Sequence, residues 1–98
     1  MKIEILSAAE EDLVDGHNFY ERQAAGLGNY FLDSLYSDID SLLVYAGIHP
    51  VVYGKHRALS KRFPYAIYYT VEANTVRVRS VLDCRRSSSW TRRHLRLA

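Results

Sequence analysis

Pro50 divides this chain by its hydrophobic period, and that division limits the folds open to it. After a short opening strand, the apolar residues before Pro50 recur at helical spacing; those after it alternate at strand spacing. Helices in one half and strands in the other point to an α+β domain, in which a helical layer covers a sheet. At 98 residues, one domain spanning 1–98 is expected.

Lys2 to Leu6 alternates and reads as a strand. Ser7-Ala-Ala-Glu10 has capping-box spacing, so Ser7 is expected to cap the helix that follows. Its apolar face is Ala9, Leu13, His17 or Gly16, Tyr20 and Ala24. Gly26 and Gly28 mark a break. A second helix is predicted from about Gly28 to Tyr45, with Phe31, Leu35, Ile39, Leu42 and Ala46 as its stripe, ended by Gly47 and Pro50. The two make an antiparallel helical hairpin.

Val51 to Leu59 is a weak strand signal interrupted by Gly54, and Ser60-Lys61-Arg62 reads as a turn. Phe63 to Val71 is the strongest strand: Phe63, Tyr65, Ile67, Tyr69 and Val71 on one side, Ala66, Tyr68 and Thr70 on the other. The three tyrosines read as core and cross-strand packing. Glu72-Ala-Asn74 forms a turn, with Asn74 suited to positive φ. Thr75 to Asp83 returns, placing Val76, Val78, Ser80 and Leu82 on one face and Arg77, Arg79 and Val81 on the other. A final helix, capped by one of Ser87 to Ser89, runs through Leu97. The fold class is thus α+β with the order β-α-α-β-β-β-α: an antiparallel sheet, a helical hairpin on one face, a short C-terminal helix, and a second sheet face at least partly open.

Charge follows the same division. Residues 1–50 carry two cations and nine acids; residues 51–98 carry eleven cations and two acids, Glu72 and Asp83. One surface of the folded molecule is therefore expected to be positive and to face an anionic or acidic partner. A lone cysteine, Cys84, excludes an internal disulfide, fits a reducing compartment and reads as a small apolar filler. The sequence has no apolar run of membrane-spanning length, no signal-peptide pattern, no metal-ligand spacing and no phosphate-binding glycine loop, so neither a membrane partner nor a cofactor is expected. Glu11, Asp12 and Asp15 read as a solvated face at a helix start.

The order of elements, with Ala9, Asp12-Leu13 and Tyr20 on the first helix, Phe63-Pro-Tyr-Ala-Ile-Tyr-Tyr69, and Val81-Leu-Asp-Cys-Arg-Arg86 followed by Trp90 and Arg93, resembles the RelE/ParE toxins of type II toxin–antitoxin systems. The resemblance spans nearly the whole chain. It implies a small bacterial cytoplasmic protein that arrests growth and is neutralised by a cognate antitoxin; plasmid stabilisation belongs to the same class. RelE-like members cleave mRNA on the ribosome, whereas ParE-like members poison DNA gyrase without a nuclease site. RelE-like sequences typically carry Arg after the tyrosine matching Tyr65; Ala66 stands there here, which implies the ParE side. Asp83 occupies a place where ParE-like members often carry His.

Two sets of candidate residues follow. A nuclease would need a base, an acid and cations around the phosphate. Among His17, His49, His56 and His94, His56 lies next to Arg57 in the basic strand region, so the nuclease set is His56, Arg57, Arg85 and Arg86. A surface for antitoxin or target would draw on Arg57, Lys61, Arg62, Arg77, Arg79, Arg85, Arg86, Trp90 and Arg93. Within it, Arg77 and Arg79 share a strand face, and Trp90 is expected mainly to pack the last helix onto the sheet.

Overall fold

The computed structural model describes residues 1–96, as β1 (Lys2–Ile5), α1 (Ser7–Glu21), α2 (Leu27–Asp40), α3 (Leu42–Tyr45), β2 (Val51–Val52), β3 (Lys55–Leu59), β4 (Tyr65–Glu72), β5 (Thr75–Asp83) and α4 (Ser88–Arg96). The expected extension of the last helix to Leu97 lies outside the described residues. The strands form one sheet in the order β1-β5-β4-β3-β2. β2 to β5 pair antiparallel, and β1 adds to β5 in parallel. The weak strand signal of Val51 to Leu59 is two strands, hinged where Tyr53 and Gly54 take φ of 53° and 79°.

α1 and α2 cover one sheet face. Ala9, Leu13, Gly16 and Tyr20 are the buried side of α1. Gly16 takes the inward place rather than His17, because the Phe31 ring lies directly on it: a Cβ at Gly16 would stand 2.4 Å from Phe31 Cζ. Ala24 falls in the exposed turn. From α2 and α3, Phe31, Leu35, Ile39 and Leu42 fill the core as expected, although the helix breaks at Ser41. Phe63 packs edge-on against Tyr20 at 4.9 Å and Phe31 at 5.1 Å, so the hairpin and the β3–β4 turn share one aromatic cluster.

Three local expectations are corrected. Ser7 does not cap α1: Leu6 is the N-cap and no side chain bonds there, since the helix already includes Ser7. The start of α2, by contrast, is capped from a side chain. Its N-cap, Gly26, offers none, and Glu21 reaches across the turn to accept the N–H groups of Gly26 at 3.0 Å and Gly28 at 2.9 Å. Those two bonds hold the Glu21 carboxyl below its ordinary range. In the β4–β5 turn, positive φ falls on Ala73 (52°) rather than on Asn74, whose carbonyl instead accepts the Lys2 N–H at 3.0 Å.

The register of β5 produces the largest departure. Tyr68 pairs with Ser80 but Tyr69 pairs with Val78, leaving Arg79 as an extra residue in a bulge. Strict alternation would separate Val81 from Val76 and Val78. The bulge reverses the phase, so Val81 joins Val76 and Val78 under the hairpin, while Leu82 moves to the opposite face beside Ala66. That opposite face is open only in part: Thr70, Arg77 and Arg79 stay half-exposed at one end, and the other end is covered. α4 packs on it through Leu95 and Trp90, against Ala66, Tyr68 and Leu82. The expected role of Trp90 in packing is thus observed, and the molecule has three layers: hairpin, sheet and α4.

Candidate functional site

The basic residues of the second half reach several different places. Arg77 and Arg79 do share the α4-side face of β5, but the chain's own acids meet them. Arg77 Nη1 donates to Glu72 at 2.7 Å and its Nε lies 3.7 Å from Glu4; Arg79 Nη2 donates to Glu72 at 2.8 Å. The two guanidinium groups hold the Glu72 carboxyl low. The expectation that this pair forms a free cationic face is corrected: Arg77 pairs with Thr70 across the hairpin, and Glu72, two residues on from Thr70, reaches it diagonally.

β3 also divides its residues. Arg57 lies on the α4 side, with Nε donating to the Tyr68 hydroxyl at 3.2 Å and Nη2 to Cys84 Sγ at 3.6 Å. Cys84 is therefore an exposed acceptor beside a cation and not an apolar filler. His56 faces the other side. Its ring stacks on Tyr69 at 5.0 Å, and its Nδ1 bonds the His49 carbonyl at 2.8 Å. Tyr69 in turn accepts the Gly47 N–H and bonds His49 Nδ1, which ties the loop after α3 to the sheet. Burial, and then the charge of neighbouring His56, lowers the His49 pKa. Alternation along a strand places His56 and Arg57 on opposite faces, so the sheet separates the expected base from its nearest expected cation.

Lys61 and Arg62 stand exposed in the β3–β4 turn. The turn is anchored by buried Asp38, which accepts from Ser60 Oγ at 2.7 Å and from the Lys61 N–H at 3.3 Å. Arg93 is exposed on α4.

The remaining candidates meet in an open cleft of about 620 Å³ between α1, the end of β5 and α4. Asp83 and Arg85 form a fork there, with Arg85 Nε on Oδ1 at 2.9 Å and Nη2 on Oδ2 at 2.7 Å. Arg85 lowers the Asp83 pKa, and Asp83 raises that of Arg85. Burial pushes the adjoining Tyr65 up to about 12. Just before α4, Arg86 lies 4.4 Å from the centre of the Trp90 ring, and His94 of α4 stacks on the same ring at 4.7 Å. His94 Nε2 reaches Asp12 Oδ1 at 3.4 Å.

Asp12 overturns its reading as a solvated residue. β1 pairing ends at Val78, so the edge of β5 beyond it lacks a strand partner. There Asp12 Oδ2 accepts the Val81 N–H at 3.0 Å. Burial raises the Asp12 pKa, against the opposing pull of the Val81 N–H and His94. Asp12 and His94 are the site residues that sequence reasoning passed over. The available signals were the i, i+4 spacing of Trp90 and His94 and the Asp12-Leu13 pair itself.

No group of three or more side chains suited to a metal occurs among the described residues, nor does a helix long and apolar enough to cross a membrane.

No family model matches the chain, and no curated protein matches it. A solved chain from the chromosomal ParDE TA system of P. aeruginosa is similar in structure, with a TM-score of 0.70 and 15% sequence identity, over 83% of this chain and 92% of that one. At that identity the likeness establishes a shared ParE/RelE-like fold, in agreement with the element order read from the sequence.

Proposed function

We propose that this chain is the toxin of a type II toxin–antitoxin system, neutralised by a cognate antitoxin protein, and that it acts by binding DNA gyrase without itself catalysing a reaction. The fold likeness to a chain of a ParDE system supports the toxin class. The observation that carries the ParE-like reading is the scattering of the nuclease set. His56 stacks on Tyr69 under the hairpin, Arg57 lies across the sheet from it, and Arg85 is bound by Asp83 in the cleft. Phosphoryl transfer needs its acid, base and cations convergent on one phosphate. A poison that holds gyrase on cleaved DNA needs only a complementary surface. Purified gyrase tests this directly: saturating protein is expected to block supercoiling and trap cleaved DNA. Normal supercoiling with no trapped DNA rejects the gyrase reading.

The antitoxin half of the reading rests on exposed apolar side chains. Leu43, Val44, Tyr45 and Ile48 stand exposed at the end of the helical layer, and a disordered segment that folds on binding would cover them. The product of the adjacent reading frame should bind, and absence of affinity counts against this part.

One observation favours the second reading, a ribosome-dependent mRNA endoribonuclease. The cleft brings His94 and Tyr65 to Arg85 and Arg86, an imidazole and a phenol that the sequence did not group with those cations. Primer extension on translated mRNA decides it: discrete cuts abolished by His94→Gln would support cleavage, and growth arrest without cuts would remove it.

A further inference from the structure

Residues 51–71 and 84–96 contain no acid. The fold lays the first part of one against the last part of the other. Lys55 Nζ donates to the Leu95 carbonyl at 3.5 Å, near the end of α4. The Arg92 guanidinium lies 5.9 Å from the centre of the Tyr53 ring, in the β2–β3 turn. Arg57 follows Lys55 by two residues on the same sheet face, and Arg96 follows Arg92 by one helical turn. Among the described residues, none of these four cations meets a carboxylate within salt-bridge distance. This is where they differ from Arg77, Arg79 and Arg85.

We propose that this seam, Lys55 and Arg57 on β3 with Arg92 and Arg96 on α4, binds the phosphate backbone of duplex DNA without sequence preference. Spacing supports a backbone track. Neighbouring cations two apart on a strand or four apart on a helix sit about 5–7 Å from one another. That spans one to two phosphates of a strand rising about 3.4 Å per nucleotide. The aromatics decide against single-stranded RNA or DNA, whose binding depends on open rings that bases stack on. Tyr68 is buried beneath α4, Arg92 lies over Tyr53, and Arg86 and His94 engage Trp90. What remains available is positive charge, which recognises a duplex by its phosphates.

Binding of a duplex here does not depend on gyrase, and the test contains none. Fluorescence anisotropy of the whole chain with a short labelled duplex of random sequence is followed between about 50 and 200 mM salt. Four phosphate contacts predict a slope of log K against log salt of roughly −3 to −4, a loss of about a hundredfold across that range. Replacing Lys55, Arg92 and Arg96 together by Gln should reduce the slope to about −1 and weaken low-salt binding at least tenfold. The double variant Arg77→Gln, Arg79→Gln should leave both values unchanged. Should the triple variant fold poorly, exposed Arg96→Gln alone carries the test, lowering the slope by about one. The proposal is overturned by absence of salt-dependent binding at the low end, by equal losses in the Arg77 and Arg79 variant, or by tighter binding of a single-stranded RNA of the same length.

Discussion

The two faces of the sheet use the same strands and achieve different kinds of packing. Under the hairpin, Tyr65, Ile67, Tyr69, Val76, Val78 and Val81 meet Leu13, Phe31, Leu35 and Ile39 in a continuous buried cluster. Under α4, Ala66, Tyr68 and Leu82 meet little more than Leu95 and the partly buried Trp90. The first face holds the domain together. The second seats a helix that also carries three exposed cations, Arg92, Arg93 and Arg96. The difference teaches that the strongly alternating strand β4 is apolar on both sides for two reasons: one side builds the core, and the other provides a small seat for a functional element.

Removing a large side chain from each face is the sharpest test of that difference. Phe31→Ala should cost about 3–5 kcal/mol, because the ring bridges Gly16, Tyr20, Phe63 and Tyr65 and leaves a cavity that two helices and a turn cannot close. Leu95→Ala should cost about 2–3 kcal/mol, at the low end of its class, and should release α4 before the rest of the chain. Denaturant melts give the first quantity, and hydrogen exchange of the α4 amides gives the second. Equal global costs would show that the faces are equivalent and break the comparison.

Asp12→Ala probes the link between the layers. The Val81 N–H would lose its acceptor and His94 its carboxylate, for an expected cost of about 1–3 kcal/mol. Earlier exchange of the Val81 amide should accompany it. A protected Val81 amide in the variant would mean that another group satisfies the edge of β5.

A smaller effect concerns pH. The His49 pKa is lowered in the folded chain by burial and then by His56. The fold therefore favours neutral His49, whose Nδ1 can accept a hydrogen bond from the Tyr69 hydroxyl. That contribution is present above the ordinary histidine value of 6.5 and is lost as pH falls from there through the lowered folded value. Stability measured from pH 7.5 to 5 should decline, and His49→Gln should flatten part of the decline. An unchanged slope would assign the decline to other groups. The smallest effect is expected at Arg77→Gln. Its ion pairs with Glu72 and Glu4 are largely exposed, so the melting temperature should hardly move.

Much of the fold was legible because it depends on local spacing. The stripe Phe31, Leu35, Ile39 and Leu42, the strands on either side of the Ala73 turn, and Ser87 at the start of α4 are all set by residues within a few positions of one another; Ser87 Oγ does accept the Trp90 N–H, at 3.2 Å. The bulge at Arg79 was not legible, since an added residue preserves composition and reverses every face after it. The candidate site was read less well for the same reason. His56 and Arg57 are adjacent in the chain and opposed in the sheet, whereas Asp12 and His94 are 82 residues apart and meet at 3.4 Å in space.

The sequence by itself determined the helix-then-strand order, the apolar stripes and the excess of cations after Pro50, because each of these depends on residue type and short spacing. Only the tertiary structure decided which cations keep their charge available. Glu72 and Asp83 stand within seven residues of Arg77, Arg79 and Arg85 and bond them, while the docking of α4 beside β3 gathers Lys55, Arg57, Arg92 and Arg96 where the chain supplies no acid. Coulomb energy falls with distance through space, and distance along the chain does not predict it.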